Sequence, residues 1–203
     1  MTEQQIDRSK APGKAPGKAP GKVPGELGVW MFVLGDMCIF ALFFAVYLFY
    51  RTEDLDVFVS SQQTLNQNFG ALNTILLLFS SWFVALAVID VREQTGKFAP
   101  KLLVLAICCG LGFILVKFFE YREKLQAGIG ITTNDFYMYY YIFTGIHFIH
   151  VVIGLALLLM MWSASRKEIT SENGIRMFES AGIYWHMVDL LWIVLFPLLY
   201  LIR

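Results

Sequence analysis

The chain alternates between long apolar segments and short polar ones, and this pattern predicts its secondary structure. Five apolar runs cover residues 27–50, 71–90, 100–121, 136–162 and 179–202. A helix rises about 1.5 Å per residue, so about 20 residues cross a hydrocarbon core of about 30 Å. In lipid, helices satisfy their backbone hydrogen bonds internally. The pattern therefore predicts an all-α, polytopic membrane protein with a bundle of five transmembrane helices.

Three local signals refine the helix ends. Pro100 opens the third run, and proline is favoured in the first turn of a helix. Asn134 precedes the fourth run and is a good N-cap residue. Pro197 lies within the fifth run, where it should bend the helix and leave the Ile193 carbonyl without its helical donor.

Residues 1–26 form a separate polar segment that we interpret as a flexible basic tail, ahead of a membrane domain at 27–203. A Lys-Ala-Pro-Gly repeat, with Val replacing Ala in the last copy, fills residues 10–25, and its prolines and glycines oppose helix and strand alike. The following run is too long for a signal peptide. The lysines would gain about 1 kcal/mol each near anionic headgroups, although a solvated tail without a specific partner explains them equally well.

Lysine and arginine positions predict the orientation. An odd number of spans places the termini on opposite sides, and cytoplasmic segments carry more of these residues. Four lie on the C-terminal side: Arg51, Arg122, Lys124 and Arg203. Eleven lie on the N-terminal side: Arg8, Lys10, Lys14, Lys18, Lys22, Arg92, Lys97, Lys101, Arg166, Lys167 and Arg176. The asymmetry predicts the N-terminus inside and the C-terminus outside.

Composition agrees with a membrane protein and limits the possible partners. Hydrophobic residues make up 57% of the chain and charged residues 16%, against about 25% charged in soluble domains. The formal net charge is zero, so charge indicates no class of partner. We expect membrane lipids and another membrane protein as partners, and no nucleic acid. The three cysteines lie in apolar runs without a metal-binding or disulfide pattern.

Ionisable side chains within the spans are the candidate functional residues, because burying them in a bilayer is costly. In addition to Lys117, they are Asp36, Glu120, His147, His150, His186 and Asp189. The spacing i,i+3 places His147 with His150, and His186 with Asp189, on one helix face. Counting helical rise from the inner ends, Asp36, His150 and Asp189 could share one layer.

Three interpretations of these residues remain open. Imidazoles and carboxylates at helical spacing can bind a metal. They can also form a structural polar network between helices, which we favour because the chain has three histidines and no Glu-x-x-His pair. Alternatively, Asp36 and Glu120 take part in proton movement. Gly145 and Gly154 give the fourth helix a small-sided face that permits close helix packing.

Several of these residues lie in motifs that resemble haem-copper oxidase subunit III. Residues 143–154 (FTGIHFIHVVIG) and 184–192 (YWHMVDLLW) are similar to its two long signatures. Residues 120–121 (EY) and 72–74 (LNT) match shorter ones, and Asp36 falls where the family usually has Glu. The resemblance covers about residues 25–203.

The resemblance implies a short, five-helix bacterial form with two-helix and three-helix halves, in the cytoplasmic (inner) membrane. It implies an accessory subunit without haem or copper, which binds phospholipid, contacts catalytic subunit I and supports its stability and proton uptake. The run 24–30 (PGELGVW) and the short length resemble the branch associated with nitric oxide reductase, whose catalytic subunit is the alternative partner. A stand-alone membrane metalloprotein or transporter is the alternative of another class.

Overall fold

The computed structural model describes residues 24–93, 96–167 and 171–202. Most of the predicted tail, residues 1–23, therefore lies outside the described part of the chain. Residues 24–26 are described and lie against a distant helix segment. The amide N–H of Gly25 donates to Glu179 Oε2 over 2.8 Å, and that of Glu26 donates to Ser180 Oγ over 3.0 Å.

Six α-helices follow one another in the described ranges, and a π-helix ends them. They are α1 (Leu27–Glu53), α2 (Leu55–Gln63), α3 (Gln67–Arg92), α4 (Ala99–Gln126), α5 (Asp135–Ser165) and α6 (Glu172–Phe196), followed by the π-helix Pro197–Leu201. Five are long and apolar enough to cross a membrane: α1, α3, α4, α5, and α6 with the π-helix. The five predicted helices are thus confirmed.

The helices extend beyond the apolar runs. An apolar run covers only the part of a helix that lies in the hydrocarbon core, whereas the helix itself ends where capping groups satisfy its terminal hydrogen bonds. Helix α6 begins at Glu172, seven residues before the apolar run, because the side chain of the N-cap Ser171 accepts a hydrogen bond from the Gly174 N–H. Asn134 caps α5 as predicted, accepting from the Tyr137 N–H over 3.0 Å.

Helix α2 was not predicted, because its nine residues are mixed in polarity and too short to span a membrane. It lies at one end of the bundle, which we call the α2 end, and packs against α5 and the π-helix. The Phe58 ring anchors it, at 5.5 Å from the Tyr47 ring and 5.9 Å from the Phe136 ring.

Helices α3 to α6 form a four-helix arrangement. Extensive contacts join α3 to α4, α4 to α5, α5 to α6, and α6 back to α3. Consequently α3 lies diagonally opposite α5, and α4 lies opposite α6. Helix α1 packs against α6, and its rings also contact α5, as in the Phe43–Phe143 pair at 6.1 Å. The two-plus-three grouping stays a prediction.

Pro197 changes the type of helix at the end of α6. Proline has no N–H and cannot donate to the Ile193 carbonyl, and the chain continues from Pro197 as a wider π-helix. The Ile202 N–H then donates to the Pro197 carbonyl over 3.0 Å. This turn places the fully buried Tyr200 inside the bundle.

Candidate functional site

A buried polar cluster near the α2 end consists of Lys117, Glu120, Tyr140 and Tyr200 and is here called the Lys117–Glu120 cluster. The Lys117 ammonium donates to Glu120 Oε2 over 3.0 Å and to the Tyr200 hydroxyl over 2.9 Å. The hydroxyls of Tyr140 and Tyr200 both donate to Glu120 Oε1. Both carboxylate oxygens and the ammonium are therefore hydrogen-bonded.

Helix spacing and aromatic packing explain why this ion pair survives burial. Lys117 and Glu120 are i,i+3 neighbours on α4, so the pair forms within one helix. Their side chains are 3% and 1% exposed. The ammonium also lies 5.0 Å from the ring centroids of Tyr140 and Trp192, which adds cation–π attraction. Charge balance and complete hydrogen bonding are what a buried pair requires.

Hydrogen bonds attach α2 and the residue after it to this end of the bundle. The Asn134 amide donates to Ser61 Oγ over 2.8 Å, and the Lys124 ammonium donates to the Thr64 carbonyl. Together with the rings around Phe58, these contacts hold α2 across the helix ends.

The π-helix is held by two further contacts at the same end. Arg51 of α1 donates to the Ile202 carbonyl, and Gln67 of α3 donates to the Tyr200 carbonyl, each over 2.9 Å. The carbonyls that a terminal helix leaves without intrahelical donors thereby gain partners.

Asp36 and His150 form a second polar pair, between α1 and α5. His150 Nε2 lies 3.2 Å from Asp36 Oδ1, and His150 Nδ1 lies 2.9 Å from the Ile146 carbonyl oxygen. A carbonyl only accepts, so Nδ1 carries a proton and donates it. The contact between Nε2 and the carboxyl group then needs one further proton, held by either group. The geometry therefore lets the two side chains share one proton, at a position about a third of the way along α1 and midway along α5.

His186 and Asp189 of α6 both lie beside Ser81 of α3. His186 Nδ1 lies 2.6 Å from Ser81 Oγ on α3, and Ser81 also interacts with the Asp189 carboxyl group. His186 is exposed on the surface of the bundle, whereas Asp189 is buried. Asp36 and His150 meet in the predicted layer, while Asp189 faces α3.

His147 is the third histidine and is wholly buried. Its ring lies 5.6 Å from the Phe113 ring and 5.2 Å from the Trp192 ring. Within the described residues, neither of its ring nitrogens has a hydrogen-bond partner. Sharing a face with His150 does not give the two histidines a common partner.

The two glycines of α5 differ in their surroundings. A Cβ atom at Gly154 would lie 2.6 Å from Trp185 Cε3, so this glycine permits the close contact of α5 with α6. A Cβ at Gly145 would meet nothing within 4 Å. At Gly110 of α4, which the sequence analysis did not select, an added Cβ would lie 3.1 Å from Trp185 Cη2.

The described residues contain no group of three or more His, Cys, Asp and Glu side chains that could hold a metal ion. These residues lie instead at separate places in the bundle. Asp36 contacts His150, Glu120 pairs with Lys117, and His186 and Asp189 lie beside Ser81. The Lys117–Glu120 cluster includes two tyrosines, Tyr140 and Tyr200, that sequence reasoning did not select. Lys117 and Glu120 were both noticed as ionisable residues in an apolar run, but their pairing at i,i+3 spacing was not predicted.

Comparison with known proteins gives the family. A family model described as cytochrome c oxidase subunit III matches residues 22–202. The chain belongs to the cytochrome c oxidase subunit III family. This is a multi-pass membrane family, in agreement with the five apolar helices.

Individual subunit III relatives are similar over most of their length. Cytochrome c oxidase subunit 3 of Synechocystis sp. is 29% identical over 201 residues, which cover 97% of this chain and 84% of that protein. Cytochrome bo(3) ubiquinol oxidase subunit 3 of Buchnera aphidicola subsp. Acyrthosiphon pisum is 27% identical over 175 residues, or 86% and 84% of the two chains.

A third relative is a fused protein. Heme-copper oxidase subunit I+III of Aeropyrum pernix is 27% identical over 205 residues, which cover 98% of this chain. The chain spans 25% of that protein. Nearly all of the subunit III family chain thus has a counterpart inside a longer polypeptide.

Proposed function

We propose that this chain is an accessory subunit III of a respiratory haem-copper oxidase, with the haem and copper carried by its catalytic partner. The observation that carries the proposal is the subunit III family match across residues 22–202. The pairing of the intramembrane polar groups supports it. Both carboxylate oxygens of Glu120 already have partners, since Lys117 donates to one and Tyr140 and Tyr200 donate to the other.

The proposed partner is the catalytic subunit I. The fused relative supports this assignment, because it is named as subunits I and III joined in one polypeptide. We assign the exposed His186 to the contact surface. An exposed imidazole halfway along a transmembrane helix is costly in lipid, and a polar group on a partner would relieve that cost.

A mild-detergent pull-down tests the main proposal. The tagged chain should recover a haem-containing membrane subunit, whose haem type and sequence identify the complex. Recovery of a nitric oxide reductase catalytic subunit would assign the chain to that branch instead. Purification of the chain alone with stoichiometric metal or haem would contradict the accessory role and favour a stand-alone metalloprotein.

We also propose that the groove between α1, α5 and α6 binds a phospholipid acyl chain. This groove has a volume of about 400 Å³ and is lined mainly by apolar side chains, including Val29, Phe32, Leu157 and Ala181. The Ala181→Trp variant should retain less phospholipid through purification, because the new ring narrows the groove. Leu105→Trp on the exposed face of α4 is the matched control and should retain the wild-type amount.

For the orientation, we propose a cytoplasmic N-terminus in a bacterial inner membrane, on the basis of the lysine and arginine asymmetry. Protease added to intact spheroplasts should leave the N-terminal tail uncut. Cleavage of the tail while a cytoplasmic marker protein stays intact would reverse the assigned orientation.

For the polar residues, we propose structural roles at His186 and Asp189 and a proton-related role at Asp36. The contact of Asp36 Oδ1 with His150 Nε2, at 3.2 Å between α1 and α5, supports the latter. The chain would thus help its partner to sustain proton uptake without itself performing redox chemistry.

A further inference from the structure

Three rings contact one another in the interior of the four-helix arrangement, namely Phe113 of α4, His147 of α5 and Trp192 of α6. Asn73 of α3 is at the same level of the bundle, which we call the layer. The Phe113 and Trp192 ring centroids are 4.9 Å apart, and both rings contact the His147 ring. Trp192 Nε1 donates to Thr74 Oγ1 over 3.1 Å. Asn73 precedes Thr74 on α3, about 1.5 Å along the axis, so it lies at the same level.

The two polar members of this layer enter it from opposite corners. Asn73 is on α3 and His147 is on α5, the diagonal helices of the four-helix arrangement. Both side chains have zero exposure, so they project into the bundle rather than toward lipid. Phe113 and Trp192 occupy the other diagonal and close the layer with apolar surface.

Asn73 and His147 both lack partners among the residues that the structure describes. Both amide atoms of Asn73 and both ring nitrogens of His147 are buried and make no hydrogen bond. A neutral imidazole has one donor and one acceptor nitrogen, and the amide group has two N–H donors and one acceptor oxygen. Unpaired buried groups of this kind are unfavourable, and native proteins pair most of them with protein atoms or ordered water.

We propose that Asn73 and His147 form a buried hydration site, which holds a water molecule on the α3–α5 diagonal. Water matches both sets of groups because it donates twice and accepts twice, and buried waters typically make about three hydrogen bonds. The site would satisfy the imidazole and the amide group together. Phe113 and Trp192 offer the water no comparable partner, so it stays on the polar diagonal.

This hydration site would lie between two other polar groups of the bundle. On one side, the Lys117 ammonium lies 5.0 Å from the Trp192 ring that borders the layer. On the other, His150 lies one helical turn from His147 on α5 and contacts Asp36. The water would therefore lie between the Lys117–Glu120 cluster and the Asp36–His150 pair.

Water-edited solid-state NMR tests the proposal. The full chain, labelled with ¹⁵N in its histidine rings, is reconstituted in phosphatidylcholine vesicles, and His147→Phe identifies the His147 signals. We expect magnetisation to pass from water protons to the His147 ring nitrogens. In Asn73→Leu this transfer should fall about twofold, because one of the two groups that hold the water is lost.

Ser80→Ala is the matched control, because Ser80 is also buried on α3 and donates to the Ala106 carbonyl over 2.8 Å. This variant should leave the His147 transfer at the wild-type level. Absence of transfer to His147 in the wild-type chain would overturn the proposal, whether or not any variant folds. So would a direct His147–Asn73 hydrogen bond, or an equal loss of transfer in Ser80→Ala and Asn73→Leu.

Discussion

Replacing Glu120 by glutamine should destabilise the bundle strongly, because it leaves the Lys117 ammonium buried without its counter-ion. The two charges are 3.0 Å apart, and Coulomb's law with an effective dielectric constant of about 20 gives an attraction of about 5 kcal/mol. Desolvation offsets much of that attraction while the pair is intact. When one partner is removed, the remaining charge keeps its desolvation cost, and such changes typically cost about 3–5 kcal/mol.

The free energy of unfolding can be measured in mixed micelles by titration with sodium dodecyl sulfate. We expect Glu120→Gln and Lys117→Gln each to lower it by about 3–5 kcal/mol. The double variant Lys117→Gln/Glu120→Gln should lose less than the sum of the two, by about 0.5–3 kcal/mol, because it leaves no unpaired charge.

Glu172→Gln provides the matched control, because Glu172 forms a 3.0 Å i,i+4 pair with Arg176 in which the two side chains are 64% and 46% exposed. An exposed pair of this kind contributes about 0–1 kcal/mol. If Glu120→Gln destabilises the chain no more than Glu172→Gln does, burial of the Lys117–Glu120 cluster is not what stabilises the α2 end.

Three further substitutions test other parts of the structure. Gly154→Ala should lower the free energy of unfolding by about 1–3 kcal/mol, because the new Cβ would lie 2.6 Å from the Trp185 ring. Gly145→Ala is the control and should not change this free energy measurably, because a Cβ there meets nothing within 4 Å. Equal losses in the two variants would contradict the packing argument. His186→Ala should change the stability of the isolated chain by only about 0.6 kcal/mol, yet weaken recovery of the catalytic subunit in the pull-down. Unaltered recovery would exclude His186 from the contact surface. Asp36→Asn should assemble normally and start at the wild-type rate but lose activity during sustained turnover, and a steady rate would rule out a proton-related role.

Sequence reasoning identified the polar residues more readily than their partners. Asp36, Glu120 and His150 stand out in apolar runs, because ionisable groups there are unusual. Their pairings needed the structure. Glu120 bonds to Tyr200, which is 80 residues away and turned inward by the π-helix, and Asp36 meets His150 114 residues away. Helical spacing describes one face of one helix and contains no information about which helix that face meets.

The membrane environment explains why the five long helices could be read from the sequence by itself. A hydrocarbon core demands about 20 apolar residues per span and leaves helices as the structure that such runs adopt. Capping and proline signals then located the N-cap of α5 at Asn134 and the irregular end of the last helix at Pro197. All of these rules act within one segment.

Only the tertiary structure decided how the helices rotate against one another. Close contacts such as that of Gly154 with Trp185 set the rotation, and the rotation determines which polar groups meet. It turns His150 toward α1 and leaves His147 in the interior between the Phe113 and Trp192 rings. The short helix α2 likewise depends on rings of α1 and α5, since its own nine residues are too few to form a stable helix in isolation. These outcomes depend on packing between segments far apart in the chain, which no local pattern of apolar and polar residues encodes.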